Sequence, residues 1–232
     1  MALFATIAET LRDEIAAGLY PPGAKLPTEA ALSARFGVNR HTVRHALSAL
    51  ADAGIINSRR GAGVFVMAKP TIYPLGRRVR FHQNIAASGK TPSRRISRIE
   101  TLPATSDDLR NLRLPAGSSV HVVEGTSLAD GQPLAVFRSV FSAARFPGLP
   151  DALALRGSIT AALADCGLTD YTRAETQLTA QLADPVLAIG LQIKPQAPVL
   201  RSVALNVDAS GAPVEHGTTW FAGDRVTLTI AT

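Results

Sequence analysis

Apolar residues recur with helical periodicity at three places in the N-terminal quarter of the chain. The first stripe predicts an amphipathic helix that ends in a glycine- and proline-rich loop at residues 18–23, and it comprises Phe4, Ile7, Ala8, Leu11 and Ile15. A second, short helix is predicted between an N-cap at Thr28 and Gly37. Asn39 is expected to cap a third helix that ends at Gly54. The buried stripe of this helix is Val43, Ala46, Leu47 and Leu50.

Two short β-strands are predicted directly after the third helix. Residues 55–58 and 64–67 form them, and Arg59-Arg60-Gly61-Ala62-Gly63 joins them in a basic turn. Three helices followed by a basic hairpin are typical of a winged helix-turn-helix. We therefore expect a DNA-binding domain over residues 1–69.

Alternating polar and apolar residues and turn signals dominate the chain beyond residue 98. Residues 120–141, with a turn at 130–133, predict one hairpin, and residues 199–221, with a turn at 208–213, predict a second of the same layout. A short helix is expected before each hairpin, and between the hairpins an apolar helix with Ser158 as its N-cap and Gly167 at its end. The predicted class is α+β, with a pseudo-symmetric antiparallel sheet.

Composition narrows the class of protein without naming a function. The chain has 232 residues, of which 46% are hydrophobic and 18% charged, which excludes a disordered polyelectrolyte. No apolar run reaches the roughly 20 residues that span a membrane, and the N-terminus lacks signal-peptide features. We expect a soluble, cytoplasmic protein. Because Cys166 is the sole cysteine and no His/Cys cluster has metal-ligand spacing, we predict no disulfide, metal or cofactor.

The formal net charge of +6 is unevenly distributed. Residues 1–69 contain eight Lys and Arg against five Asp and Glu, residues 70–98 contain seven against none, and residues 99–232 contain nine against thirteen. A basic balance favours anionic partners such as nucleic acid. We assign residues 70–80 to a basic linker and 81–232 to a second domain. Arg77, Arg78 and Arg80 have two possible partners, DNA phosphates or a bound anion.

The start of the third helix carries the candidate DNA-binding residues. Arg40 and Arg44 lie four residues apart on one face, together with the short hydrogen-bonding residues Asn39, His41 and Thr42. Such a set is suited to base edges and phosphates. A solvated helix face is the alternative. The spacing of His41 and His45 also suits a metal, but without a third ligand a structural or DNA-facing role is favoured.

These residues resemble the GntR family of bacterial transcription regulators. The resemblance lies in GAKLPTE at 23–29, FGVNRHTVRHAL at 36–47 and GAGVFV at 61–66. It implies an operator-binding dimer in which Arg40 and Arg44 read the major groove and Asn39 and Thr42 hold phosphates. Arg60 and the backbone of Gly61 would enter the minor groove. Many relatives carry Arg at the position of Ala30, so a contact from the second helix is absent here.

The rest of the chain resembles the ligand-sensing domain of the HutC subfamily, which has a chorismate-lyase-like (UTRA) fold, and most of all PhnF-type regulators of phosphonate utilisation. The matching stretches include YPLGRRVRF at 73–81, RFPGL at 145–149 and DYTR at 170–173. In relatives that sense sugar phosphates, the segment matching Arg80-Phe81-His82 holds the phosphate. Here that segment is basic and precedes a predicted helix at 83–87, and helix N-termini bind anions. The resemblance thus implies a small anionic effector.

Departures from sugar-phosphate sensors argue against a sugar-phosphate effector. Two arginines of those sensors fall at Gly125 and Ser127 here, and a ligand-binding glutamate falls at Phe137. Arg138 interrupts an apolar strand face, so it either lies at a solvated rim or pairs with an anion. Arg173 has the same two interpretations.

Glu215 and His216 are interpreted as structural polar groups of the second hairpin, although Glu215 has the chemistry to bind an amine. Trp220 and Phe221 are predicted to be core residues. The candidate effector-binding residues are therefore Arg78, Arg80, Phe81, His82, Arg138, Ser158, Arg173 and Glu215.

Three functions remain possible from the sequence. The first is a ligand-responsive regulator that binds operator DNA as a homodimer, and we expect it to be a repressor. The second is a small lyase-like enzyme, although no nucleophile, paired carboxylates or metal motif is present to support it. The third is a DNA-binding protein without an effector, whose affinity would depend on phosphate contacts alone.

Overall fold

The computed structural model describes residues 3–59, 61–67, 70–78 and 80–230. It divides the chain into two compact units, Met1–Lys69 and Pro70–Thr232. We describe each unit by itself and call them the reader unit and the sensing unit.

The reader unit consists of three helices and a two-stranded hairpin. In chain order its elements are α1 (Leu3–Ala16), α2 (Glu29–Phe36), α3 (Arg40–Asp52), β1 (Ile56–Arg59) and β2 (Gly63–Val66). The hairpin is antiparallel, with Ile56 opposite Val66. Its core contains the predicted stripes of the first and third helices, closed by residues from α2, the loop and the hairpin: Leu26, Leu32, Ile56 and Val66.

Local chemistry explains where these helices begin and end. Thr28 accepts a hydrogen bond from the Ala31 amide at the start of α2, and Gly37 ends that helix at φ 64°, a left-handed conformation that favours glycine. Asn39 caps α3 by accepting from the Thr42 amide at 2.8 Å. Gly54 follows the C-terminal end of α3 at φ 68°. The predicted winged helix-turn-helix is confirmed.

The sensing unit is built on a six-stranded antiparallel sheet in the order β4-β5-β6-β9-β8-β7. In chain order its elements are β3 (Thr71–Pro74), α4 (Phe81–Ala87), β4 (Pro92–Pro103), α5 (Ser106–Asn111), β5 (Ser119–Ala129), β6 (Gln132–Ser142), α6 (Leu149–Arg156), α7 (Ile159–Asp165), β7 (Thr172–Leu182), α8 (Pro185–Leu191), β8 (Pro198–Val207), β9 (Pro213–Ala222) and β10 (Val226–Thr229).

The two predicted hairpins form the centre of this sheet. β5 with β6 and β8 with β9 pair antiparallel, and β6 pairs with β9, which places Phe137 opposite Thr219. A short helix precedes each hairpin, α5 in one half and α8 in the other. The predicted α+β class with a pseudo-symmetric antiparallel sheet is therefore confirmed.

The two faces of the sheet are covered by different helices. On one face, α6 and α7 pack against the strands in a core that includes Phe137, Phe141 and Leu163. On the other face, α5 and α8 pack over separate cores, of which the α8 core includes the partly buried Trp220. Phe221 is 4% exposed and belongs to a third core, with Tyr73 and Phe81. Trp220 and Phe221 thus pack in different cores.

Two expectations for residues 70–87 need correction. Residues 71–74, assigned to a linker, form β3, which pairs in parallel with β10 and places Thr71 opposite Val226. The fourth helix begins at Phe81 rather than at residue 83. The pattern concealed β3 because the partner of this strand lies more than 150 residues away in sequence. The segment belongs to the sensing unit. Val79 lies outside the described residues.

In the part of the chain that the structure describes, no helix is both long enough and apolar enough to cross a membrane.

Candidate functional site

The N-terminal turns of α3 form the first candidate site. Arg40, His41 and Arg44 are exposed, while the apolar side of the helix packs into the core. The Asn39 side-chain oxygen accepts hydrogen bonds from the Thr42 amide at 2.8 Å and the Thr42 hydroxyl at 3.0 Å. The cap therefore fixes the start of the helix and leaves the Asn39 amide NH₂ available to an outside acceptor.

Arg44 is held by a two-point ion pair with Glu29 of α2. Its Nε lies 3.2 Å from Glu29 Oε1 and its Nη2 lies 2.8 Å from Oε2. The hydrogen bond from Arg44 lowers the pKa of Glu29, so the carboxylate stays ionised at neutral pH. The pair joins the two helices of the helix-turn-helix and orients the guanidinium, whose side chain stays 67% exposed.

The hairpin that follows has glycines where the backbone requires them. Gly61 at the turn has φ 74° and is exposed, and Gly63 has φ 111°. A Cβ at Gly63 would lie 2.6 Å from the Lys25 Cε, and the Lys25 ammonium lies 6.0 Å from the centre of the Phe65 ring. The predicted contact residue Arg60 lies outside the described residues.

His41 and His45 have no third potential metal ligand grouped with them among the described residues. His45 stacks on Phe4 of α1 with ring centroids 4.0 Å apart. Across residues 3–59, 61–67, 70–78 and 80–230, no group of three potential His, Cys, Asp or Glu ligands is present.

The second candidate site is a cavity of about 70 Å³ in the sensing unit. It lies on the α6–α7 face of the sheet, bounded by Phe81 and His82 of α4 and by residues 158–160 at the start of α7. Polar side chains supply most of its lining. One of them is Tyr73 of β3, and the six-stranded sheet contributes Arg94, Ser127, Ser139, Arg173, Ser202, Asn206, Glu215 and Thr219.

Arg94 of β4 is the least satisfied polar group of this cavity. Its Nε is buried and makes no hydrogen bond to any described residue. The guanidinium lies over two aromatic rings instead, 4.7 Å from the centre of Phe137 and 5.3 Å from that of Phe81. Burial lowers the pKa of Arg94, yet a guanidinium remains charged at neutral pH. A buried charge without hydrogen-bonded partners is costly, so the site favours an anion.

Glu215 of β9 contributes a negative charge to the same cavity. Its Oε1 accepts from the Ser139 hydroxyl at 2.5 Å, and its Oε2 accepts from the Asn206 amide at 2.7 Å. Arg173 of β7 lies 3.4 Å from the Asn206 side-chain oxygen through its Nε. Asn206 therefore holds an acidic and a basic residue in fixed positions on neighbouring strands.

Burial also changes the acid–base properties of the groups around Arg94. It raises the pKa of Tyr73 and of Tyr171, so both phenols stay protonated and keep their hydroxyl donors. It lowers the pKa of His82, an effect to which the positive charge of Arg94 adds. The lining therefore offers neutral donors and acceptors around fixed charges at neutral pH.

Comparison with known proteins assigns both units. Residues 3–66 match the gntR family of bacterial regulatory proteins, and residues 87–227 match the UTRA domain. An uncharacterised HTH-type transcriptional regulator of Rhizobium meliloti is 36% identical over the whole chain and 96% of the relative. The chain belongs to the GntR family. Its two domains give it the HutC-type architecture.

Two PhnF proteins extend this likeness. The probable transcriptional regulator PhnF of Escherichia coli is 30% identical over 91% of this chain and 88% of its own length. The crystal structure of PhnF from Mycobacterium smegmatis superimposes with a TM-score of 0.68 over 100% of this chain and 99% of that one, at 24% identity, which shows a common fold. The domains and relatives of this GntR protein are those of transcription regulators and not of enzymes.

The cavity of this GntR regulator contains five of the eight residues predicted to bind an effector. These are Phe81, His82, Ser158, Arg173 and Glu215. Ser158 also caps α7, as predicted, by accepting from the Ala161 amide at 3.5 Å. The structure therefore brings together residues from α4, α7, β7 and β9 that are far apart in the sequence.

Three predicted residues do not line this cavity, and their role in effector binding stays a prediction. Arg138 lies on the other face of the sheet, where its Nε is 3.6 Å from Glu124 Oε1, so it occupies a partly solvated rim. Arg78 is exposed and pairs with Asp170 at 2.6 Å. Arg80 is buried, donates to the Tyr171 carbonyl at 2.8 Å and lies 3.6 Å from the centre of the Tyr171 ring. Arg80 therefore supports a wall of the cavity from behind.

Sequence reasoning missed Arg94 and the Ser139–Glu215–Asn206 network of this regulator. Arg94 lies in the basic stretch PSRRISR, where alternation along a strand directs Arg94 and Arg95 to opposite faces. Strand alternation was the available signal. This signal could not be applied, because no strand was predicted at the position of β4. On that side of the sheet only the first hairpin was predicted.

Proposed function

We propose that this protein is a ligand-responsive repressor that binds operator DNA as a homodimer in the bacterial cytoplasm. A small anionic metabolite, such as a phosphonate or a phosphate ester, would bind in the sensing unit and change the affinity for DNA. The observation that carries the proposal is the buried Arg94 guanidinium, which lines a polar cavity and lacks a hydrogen-bonded partner for its Nε.

In the proposed complex the reader unit places α3 in the major groove. Arg40 and Arg44 would contact base edges, while Asn39, His41 and Thr42 contact base edges or phosphates near the N-terminal end of the helix. The exposure of Arg40 and Arg44 supports this assignment, as does the pair with Glu29 that orients Arg44. Arg60 and the Gly61 backbone would reach the minor groove from the hairpin. Two such units, one in each protomer, would match a palindromic operator.

The names of relatives support repression as the direction of regulation. NagR of Bacillus subtilis, 27% identical over 97% of this chain, is an HTH-type transcriptional repressor. MngR of Escherichia coli, 25% identical over 98% of this chain, is the repressor of a mannosyl-D-glycerate transport and metabolism system. The resemblance to PhnF-type regulators supports a phosphonate over a sugar phosphate.

The proposed mechanism is a coupling free energy between the two binding sites. An anion that binds more tightly to the DNA-free protein shifts the population away from the DNA-bound form. Because the coupling is reciprocal, operator DNA must weaken effector binding by the same factor. This reciprocity is a thermodynamic requirement and does not depend on which conformational change couples the two sites.

A gel-shift titration tests the function directly. Operator fragments would first be selected from random DNA with the full-length protein, and the midpoint would then be measured with methylphosphonate, 2-aminoethylphosphonate, ethyl phosphate or acetate. We expect one or more of the phosphorus oxyanions to raise the midpoint severalfold in the wild type, and to leave it unchanged in Arg94→Met. A midpoint that no phosphonate or phosphate ester moves would rule out this effector class.

A further inference from the structure

The sensing cavity holds fixed charges of both signs that do not neutralise each other. Arg94 and Arg173 are cationic and Glu215 is anionic, and all three line the cavity. The ion pairs within 4.0 Å among the described residues include none between Glu215 and either arginine. The half-buried Glu215 carboxylate therefore lines the same cavity as two guanidinium groups without forming an ion pair with either of them.

The position of Glu215 is fixed without exhausting its capacity to accept. Ser139 and Asn206 each donate one hydrogen bond, at 2.5 Å to Oε1 and at 2.7 Å to Oε2. A carboxylate has about four acceptor positions, so a second donor can bind to either oxygen. The donors that already bind it are neutral, which leaves its negative charge uncompensated by any cation within 4.0 Å in the part of the chain described.

The Arg94 guanidinium lies over two aromatic rings, and one of its donors has no partner among the described residues. The guanidinium carbon lies 5.3 Å from the centre of the Phe81 ring and 4.7 Å from that of Phe137, and the buried Nε makes no hydrogen bond to the described residues. All five guanidinium donors lie in one plane and match an oxyanion with two or more oxygens. The Nε–H donor of Arg94 therefore remains available to a ligand.

Charge and volume together restrict the ligand. Two cations and one anion are balanced by a molecule with two negative charges and one positive charge. A cavity of about 70 Å³ has room for roughly five water positions, which favours a small ligand.

From these observations we infer that the cavity recognises a small amino-oxyanion, a dianionic phosphonate or phosphate group that binds Arg94 and carries an ammonium group that binds Glu215. This inference rests on the proposed function, because it concerns the effector of the same regulator. It adds a requirement for a positive charge at the opposite end of the ligand, and it assigns Glu215 as the residue that selects that charge.

Calorimetric titration of the full-length protein at pH 8 tests this requirement with pairs of nearly equal shape. 2-Aminoethylphosphonate is compared with propylphosphonate, and O-phosphoethanolamine with propyl phosphate, so that a methyl group replaces the ammonium in each pair. We expect the amino compound of one or both pairs to bind about ten- to hundredfold more tightly, the range of a charge-assisted hydrogen bond. The better pair shows whether the oxyanion is a phosphonate or a phosphate ester.

Two variants assign the effect to Glu215. Glu215→Gln should reduce the preference for the ammonium to about twofold or less, while Glu175→Gln, which alters an exposed carboxylate of β7, should preserve it. The comparison within the wild-type protein needs no variant, so it decides the matter even if Glu215→Gln unfolds.

The outcomes separate this inference from the proposed function. Equal affinity for the amino compound and its methyl counterpart would overturn the inference and leave an anion-responsive regulator intact. If none of the four compounds binds, both the amino-oxyanion and the proposed effector class are wrong.

Discussion

Arg44 and Arg94 are both arginines that we assign to a ligand, but the two units present them in opposite ways. Arg44 is exposed on a helix and pairs with a neighbouring helix, so solvent stabilises its charge whether or not DNA is bound. Arg94 is enclosed by aromatic rings, with a buried Nε that lacks a partner. The charge of Arg44 therefore does not depend on bound DNA for its stabilisation. The Arg94 guanidinium lies in the interior of the sensing unit, where its charge has a cost in stability.

The largest effect that this comparison predicts is on DNA recognition. Arg44→Ala should reduce discrimination at one base step of the operator by roughly 5- to 150-fold, because a bidentate contact from arginine to a base edge is lost. The melting temperature should change little, since the side chain is exposed. Gel-shift titration against operators with single-base changes measures the discrimination.

Arg12→Ala is the matched control, because Arg12 is an exposed arginine of α1 in the same unit. It should leave discrimination intact. A uniform loss of affinity for all sequences in Arg44→Ala would instead mean that Arg44 contacts phosphate, and would support a protein without sequence specificity.

At Arg94, by contrast, we expect a substitution to change the stability of the protein. Arg94→Met removes the buried charge and keeps most of the side-chain volume, so the free energy of unfolding should rise by about 1 kcal/mol. The two cation–π contacts offset part of the gain. Scanning calorimetry would show this as a rise in melting temperature of roughly 2 to 4 °C, together with loss of oxyanion binding.

The control for this change is Arg95→Met, which removes the exposed neighbouring arginine on β4. We expect no stabilisation from it. A melting temperature that falls in Arg94→Met would show that the guanidinium contributes to the fold, and the contrast between the two units would then disappear.

The same contrast explains how much was predictable from the sequence. The helices of the reader unit follow from local signals: Thr28 and Asn39 as caps, Gly37 and Gly54 as ends, and one apolar stripe for each helix. The two central hairpins follow from their turns and their repeated layout. In each case the deciding interactions lie within about a dozen residues.

What failed depended on contacts that are distant in sequence. β3 is a strand because β10, at the other end of the chain, lies beside it. The strand pattern left Arg138 with two interpretations, a solvated rim or an anion partner, because the pattern does not specify which face of the sheet meets the cavity. The reason for a glycine at position 125 is also a contact distant in sequence. An added Cβ there would lie 2.4 Å from the Arg95 carbonyl oxygen of the neighbouring strand.

The smallest expected effect concerns pH and again belongs to the sensing unit. Burial lowers the pKa of His82, His121 and His216 there. The unfolded chain therefore takes up protons first as the pH falls through about 6.5, and the free energy of unfolding should decrease from about pH 7 to pH 5. The decrease should be modest, since His82 and His216 are half-buried. Urea denaturation at several pH values measures it.

His121 allows this prediction to be assigned to one side chain. It is 4% exposed, and its two ring nitrogens lie 2.8 Å from the Thr101 hydroxyl and 3.1 Å from the Phe146 carbonyl oxygen, which suits a neutral ring. His121→Gln should lower stability at pH 7 and flatten its dependence between pH 5 and 7. The ion-paired carboxylates Glu29 and Asp170 have lowered pKa values, so their contributions are lost only below about pH 4.5 and do not interfere. An unchanged slope in His121→Gln would transfer the effect to His82 and His216, whereas a wild-type stability that rises on acidification would contradict the burial of all three.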